Sequence, residues 1–512
     1  MSILHNPILP GFYPDPSLCR AGNDYFLVTS SFEYFPGVPI FHSQDLVNWT
    51  QIGHCLTRKS QLNLDRCCPS GGIFAPTIRF HEGTFYMVTT NVSSGGNFYV
   101  TTRDPHGSWS EPIYIDEGYF DPSLLFDDDG KVYYTRRQAH GILQAEIDIT
   151  TGKLLTPLKL IVEKFICTDI EGPHLYKIHG KYYLMAAEGG SRFGHAEVIG
   201  RSDHPWGPFK PCPDNPIVTH RDQGHLPIRD TGHAELIEDQ QGNWWFFCLG
   251  TRQKFYDAAT LMGRETFLAP VVWEDGWPKI EGKQVTSSFQ TVWLPPAKPR
   301  PAVMRDDFDK IDQDHCWNYL RNPTDENYSL SERAGFLRLK GSAITLNEWD
   351  SPTFVGRRQE NFSFKVSCSI EFHPQFENEE AGLTVFMTNE YHYDLCLVKR
   401  GDLHFAALKK RVGDMTHEQI IPLSSSQAVT LIITSDGASY QFLISSEGNE
   451  IHVGSGIAKL ISSEIAAPAN GYPIWTGIYL GLYATGNGKR CTAHADFDWF
   501  EYIPLQEGST DE

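Results

Sequence analysis

No stretch of this chain approaches the roughly 18 uninterrupted apolar residues that a membrane-spanning helix needs, so the sequence offers no candidate span of that kind. Basic residues are in short supply: 43 Lys plus Arg stand against 63 Asp plus Glu, a formal charge of -20. Such a surface repels nucleic-acid phosphates and anionic lipid headgroups, which argues against nucleic acid and membrane as partners. A neutral partner is expected instead. The eleven cysteines are odd in number and lack CxxC spacing. That argues against a zinc cage or a disulfide framework and leaves reduced thiols, even at the adjacent Cys67 and Cys68. The opening MSILHNPILPGFYPDPS carries neither the basic start and apolar core nor the cleavage site of a secretory leader, so a cytoplasmic location is expected.

What the chain does have is turn formers and aromatics: 44 Gly, 32 Pro and 13% Phe, Trp and Tyr. This composition suits many short strands joined by tight turns, an all-β protein. At 512 residues the length exceeds one ordinary core and predicts two domains.

One pattern recurs five times in the first 300 residues: DPSLCRAGNDYFLV from Asp15, APTIRFHEGTFYMV from Ala75, DPSLLFDDDGKVYY from Asp121, EGPHLYKIHGKYYLM from Glu171 and HAELIEDQQGNWWFF from His233. Each copy reads as an inner strand, a Gly-containing hairpin turn and a second strand. Outer strands with Trp-marked turns, at Trp49, Trp109 and Trp206, complete a four-stranded blade. Repeats of this length point to a propeller, here five-bladed, over residues 1–300. Radial symmetry then places the five leading residues at one depth near the central axis, so three carboxyls and one imidazole converge. Burying such groups costs several kcal/mol unless they bind or transform something. A lone DPS is a common turn opening; five equivalent positions carrying Asp, Ala, Asp, Glu and His are not. The run Asp127-Asp128-Asp129-Gly130 reads as a hairpin turn, since no Glu stands at the twelfth position of a calcium loop.

Around residue 295 the text changes to LPPAKPRPAVMRDD, a semi-rigid linker, and beyond it period-two alternation takes over. In FSFKVSCSIEF, residues Phe362, Phe364, Val366, Cys368, Ile370 and Phe372 would share one face. Residues 301–512 are therefore expected to form a β-sandwich, either a lectin-like carbohydrate-binding module or a structural lid.

Paired carboxyls are what glycoside hydrolysis requires: an acid for the departing oxygen and a carboxylate to activate water or attack the sugar. A third carboxylate nearby raises the proton affinity of the acid. Glu171 has the longer reach and suits the acid; one of Asp15 and Asp121 is then the base and the other the modulator. A non-catalytic sugar-binding propeller is the rival from another class, although a binding module has no need of a buried acid beside a base.

The motifs NPILPGFYPDPS, SSFEYFPGVPIFHSQDLVNW, FDPSLLFDDDGK, EGPHLYK, AAEGG, GRETF and WEDGWP resemble the β-xylosidases and α-L-arabinofuranosidases of glycoside hydrolase family 43, over essentially the whole chain. That resemblance implies a five-bladed propeller with an appended sandwich and hydrolysis with inversion. It implies release of terminal β-D-xylose from xylo-oligosaccharides, with arabinofuranosidase activity beside it or in its place. Asp15 would be the base, Asp121 the modulator and Glu171 the acid. Arg264 would bind sugar hydroxyls and help hold the modulator; Phe32 would line the pocket. Phe74 stands where relatives often carry Trp, just before Ala75, and Ser191 where they often carry Thr. His233 would lie on the leaving-group side, facing a bound cation in some relatives. A lone imidazole makes a weak calcium site in which water supplies most ligands, and no cofactor is required. Trp475 is the candidate for an aromatic that closes the pocket from the sandwich, or else an ordinary core residue. The substrate would be a xylo- or arabinoxylo-oligosaccharide, and the resemblance implies a homo-oligomer. Fructan-cleaving propellers are a poorer match, because their NDPNG opening is absent.

Overall fold

The computed structural model describes residues 1–254, 259–310, 315–423, 428–446, 448–467 and 473–505, and it is built almost wholly of strands. The five repeats fold as five antiparallel sheets. In each, the repeat's first strand lies at one end of the sheet: Ser17–Ala21, Thr77–His81, Ser123–Phe126, Glu171–Ile178 and Ile228–Glu238. These five strands touch in a closed cycle, first to second and onward to fifth and first, and so wall a central axis. One apolar cluster fills each junction between blades; Leu18, Leu27 and Phe41 of blade one, for example, pack with Trp245, Phe247 and Leu268 of blade five. Each large side chain buried there contributes about 1.5–3 kcal/mol, so the ring is held by its seams.

Two details differ from the sequence expectation. Blades three and four carry a fifth strand, Lys159–Val162 and Val218–Thr219. In blades one to three the inner strand begins two residues after the leading residue, because the intervening Pro16, Pro76 and Pro122 have no N–H to give to a ladder.

The N-terminal segment closes the ring. Ser2–His5 pairs antiparallel with Ser288–Thr291. Ile8 and Leu9 then donate to Thr266 O, and Tyr13 donates to Arg264 O at 3.1 Å, both on the third strand of blade five, Arg264–Glu274. This path brings Asp15 beside Arg264.

The second domain is a sandwich of two eight-stranded sheets. Phe362, Phe364, Val366, Cys368, Ile370 and Phe372 are all buried in its core, as the alternation predicts. After the proline-rich stretch, Met304–Asp306 pairs with His494–Pro504 of the sandwich. One of the eight strands in one sheet comes from the first domain: Tyr34–Phe35 is the end strand of its sheet, paired with Asn318–Leu320. Tyr34 stacks on Tyr479 with ring centroids 3.8 Å apart, and Arg358 Nε donates to Phe12 O at 2.7 Å. The two domains thus share a sheet.

Candidate active site

The leading residues owe their direction to the backbone. Asp15, Asp121 and His233 have φ of 54°, 58° and 49°. This left-handed region costs a non-glycine residue about 1–2 kcal/mol and is least unfavourable for Asp and Asn. In blade four the left-handed turn passes to Gly172, at φ 57°, where a Cβ would stand 2.9 Å from His233 Nε2. Glycine is what lets the imidazole lie against the chain there.

Each carboxyl is held differently. Asp15 Oδ2 accepts from Ser30 Oγ at 2.5 Å, while Arg264 forks across both oxygens at 3.2 and 3.4 Å. His233 Nδ1 lies 3.7 Å from Asp15 Oδ1. Glu171 is gripped at both ends: Ser191 Oγ donates to Oε1 at 2.8 Å and Arg137 Nη1 to Oε2 at 3.1 Å. Among the described residues Asp121 accepts one hydrogen bond, from Gly172 N at 3.0 Å. Burial pushes the Asp121 carboxyl up to about 6; the charges of Glu171 and Asp15 add to this, and His233 and Arg137 oppose it.

The three carboxyls open into one pocket of about 340 Å³, whose wall includes every residue expected from the sequence. Phe32, Phe74 and Phe120 form a continuous aromatic face, with centroids 5.3 and 5.5 Å apart, contributed by the first three blades. Trp475 enters from the sandwich, its ring 5.1 Å from the Arg264 guanidinium, so it is a pocket wall rather than a core residue of its own domain.

One expectation needs correction. Arg264 grips Asp15, not Asp121, because the N-terminal segment bonded to blade five carries Asp15 to it. His233 lies beside Asp15, which Arg264 and Ser30 already engage, so a calcium ion there would take most of its ligands from water. Among the described residues no group of three or more His, Cys, Asp or Glu could hold a metal.

The sequence reading missed Ser30, Phe120, Arg137 and Asp169. A signal existed for three of them. Phe120 precedes Asp121 as Phe74 precedes Ala75. Ser30, two residues past the second strand of blade one (Asp24–Val28), and Arg137, on the second strand of blade three (Val132–Gln138), make the same contact, each donating its N–H, at 3.1 Å, to the carbonyl just before the leading residue. Asp169, 3.9 Å from Arg137 at the rim, had no such marker.

A family model described as glycosyl hydrolases family 43 matches residues 4–278, and one described as the β-xylosidase C-terminal concanavalin A-like domain matches residues 305–503. The chain is 42% identical to the non-reducing end α-L-arabinofuranosidase BoGH43B of Bacteroides ovatus, over 97% of this chain and 94% of that protein. It is 41% identical to a xylosidase/arabinosidase of Butyrivibrio fibrisolvens, over 98% and 99%. Among solved structures, the Bacteroides ovatus xyloglucan PUL GH43B superposes with a TM-score of 0.94 at 41% identity, covering 98% of this chain and 100% of that one.

Proposed function

The chain belongs to glycosyl hydrolases family 43, and on that footing we propose that it removes single terminal pentoses, β-D-xylose and also α-L-arabinofuranose, from xylan-derived oligosaccharides. The observation that carries this reading is the convergence of Asp15, Asp121 and Glu171 on one small pocket closed by Trp475. At about 340 Å³ the pocket lies at the low end of ligand sites, about 300–1,000 Å³, which suits a chain end better than a continuous polysaccharide.

In the proposed reaction Asp15 takes a proton from water as that water attacks the anomeric carbon. Ser30 and Arg264 hold the Asp15 carboxylate in place for this task. Glu171, oriented by Ser191 and Arg137, gives its proton to the glycosidic oxygen as the bond to the anomeric carbon breaks. The sugar leaves with inverted configuration; Asp15 ends protonated and Glu171 ionised, and exchange with solvent resets both. Asp121 carries no transferred proton. Its buried charge acts on its neighbours, the role of a modulator. The aromatic face of Phe32, Phe74 and Phe120 would pack against the sugar.

Arabinofuranose is kept beside xylose because the two sugars present similar hydroxyl positions, and discrimination by small shape differences is modest. Relatives with both descriptions support this. Turnover of an aryl β-xyloside and an aryl α-L-arabinofuranoside, with proton NMR of the first-formed anomer, tests the proposal. Turnover of neither substrate sinks it, and a retained anomer sinks the inverting mechanism.

A further inference from the structure

The tryptophan that closes the pocket is held from outside it. Trp475 N donates to Ser70 Oγ at 2.9 Å. Ser70 is fully buried in the left-handed region, at φ 57°, and its own N–H donates to Glu33 Oε2 at 3.0 Å. Glu33 is buried too, and it is not among the residues that line the pocket. It follows Phe32 directly and precedes the shared strand Tyr34–Phe35. Its carbonyl accepts from Arg321 N at 2.8 Å, and the buried Arg321 side chain donates to Cys67 O at 2.6 Å in the loop that carries Ser70. The pocket aromatics Phe32 and Trp475, from different domains, therefore hang from one buried pair.

A buried carboxyl is costly unless it is used. Burial pushes Glu33 up to about 7, against the opposing N–H bond from Ser70 and the charge of Arg321. The backbone beside Trp475 is held as well, Ile474 O accepting from Arg192 Nη2 at 3.3 Å. At Trp475 itself the fixing group is the Ser70 hydroxyl. The indole in turn lies against Arg264, the arginine that forks onto Asp15.

We propose that Ser70 and Glu33 are positioning residues for Trp475, and that they set the depth of the sugar pocket across the domain boundary. The inference rests on Trp475 being a wall of the sugar site. Ser70→Gly keeps the left-handed backbone without strain and removes the hydroxymethyl side chain. It is expected to raise KM for the aryl β-xyloside about five- to tenfold, the loss of roughly one hydrogen bond, with the smaller part of the change in kcat. Ser70→Ala, as a second variant, reads the same way. The decisive measurement is the double-mutant cycle with Trp475→Ala. If Ser70 acts through Trp475, Ser70→Gly has no further effect on KM in the Trp475→Ala background. Full additivity, or an unchanged KM in the single variant, overturns the proposal. Calorimetric binding of free xylose and L-arabinose reads the same cycle without turnover. A wild-type protein that cleaves neither aryl pentoside defeats the functional reading; normal wild-type turnover with an additive cycle defeats only this one.

Discussion

Two layers of polar residues line the propeller axis, and they differ in what their charges have left to do. The upper layer holds Asp15, Asp121, Glu171 and His233. Two or three residues further along the inner strands lie Ser17, His174 and Glu235. In this second layer Glu235 accepts from Ser17 Oγ at 2.6 Å and from Arg79 Nη1 at 2.9 Å, with His174 Nδ1 3.1 Å away. Burial raises the Glu235 carboxyl, and Arg79 opposes that shift first. Both layers are buried, and each holds a Glu and a His. The lower one is consumed by its own partners. The upper one leaves carboxylate edges facing a cavity, and that, not the presence of charge on the axis, makes it a site.

The same substitution in each layer sharpens the contrast. Glu171→Gln is expected to lower kcat/KM on a xyloside with a poor leaving group by about 10²–10⁴, with a much smaller loss on an aryl xyloside. Equal losses on the two substrates would remove Glu171 from the acid's role. Glu235→Gln, one layer down, is expected to act on stability, by about 3–5 kcal/mol in denaturant unfolding, because it strips Arg79 of its compensating charge. If Glu235→Gln instead lowered turnover in a fully stable protein, the lower layer would belong to the site.

Asp121 gives a subtler test. Folded, it holds its proton up to about 6, against 3.8 for an ordinary aspartate. Between these values the folded state binds more protons than the unfolded state. Stability therefore falls as pH rises through that window, and the penalty persists above it. Asp121→Asn should raise stability at pH 7 by about 1–3 kcal/mol while impairing turnover, and the gain should shrink towards zero near pH 4. Thermal unfolding at the two pH values checks this; a gain independent of pH would assign it to something other than the charge. The smallest effect is expected at Ser30→Ala. It removes one bond to Asp15 and leaves the Arg264 fork, so kcat/KM should fall about tenfold or less.

The fold and the three carboxyls were legible in the sequence because propeller symmetry turns spacing into position: residues at one offset in a repeat arrive at one depth on the axis. His233 followed from the same logic, whereas Phe74 and Ser191 came from family resemblance. What was not legible depended on which neighbour a side chain meets. Arg264 reaches Asp15 because a segment from the far end of the domain is bonded alongside it, and no local pattern announces that contact. Arg137 belongs to blade three but serves Glu171 of blade four. Trp475 fits a buried strand end as well as it fits a pocket wall, and only the docking of the sandwich decides between them.

The strand Tyr34–Phe35 bears on how this protein can be cut or recombined. A protease that nicks the exposed proline-rich crossing should release neither half, since the halves stay zipped through a common sheet. A truncation that keeps only the propeller would strip Tyr34 of its stacking partner, expose an unpaired β-edge and discard one wall of the pocket. The sandwich is therefore a poor candidate for domain shuffling: a replacement would have to supply a matching edge strand and a tryptophan in the right place.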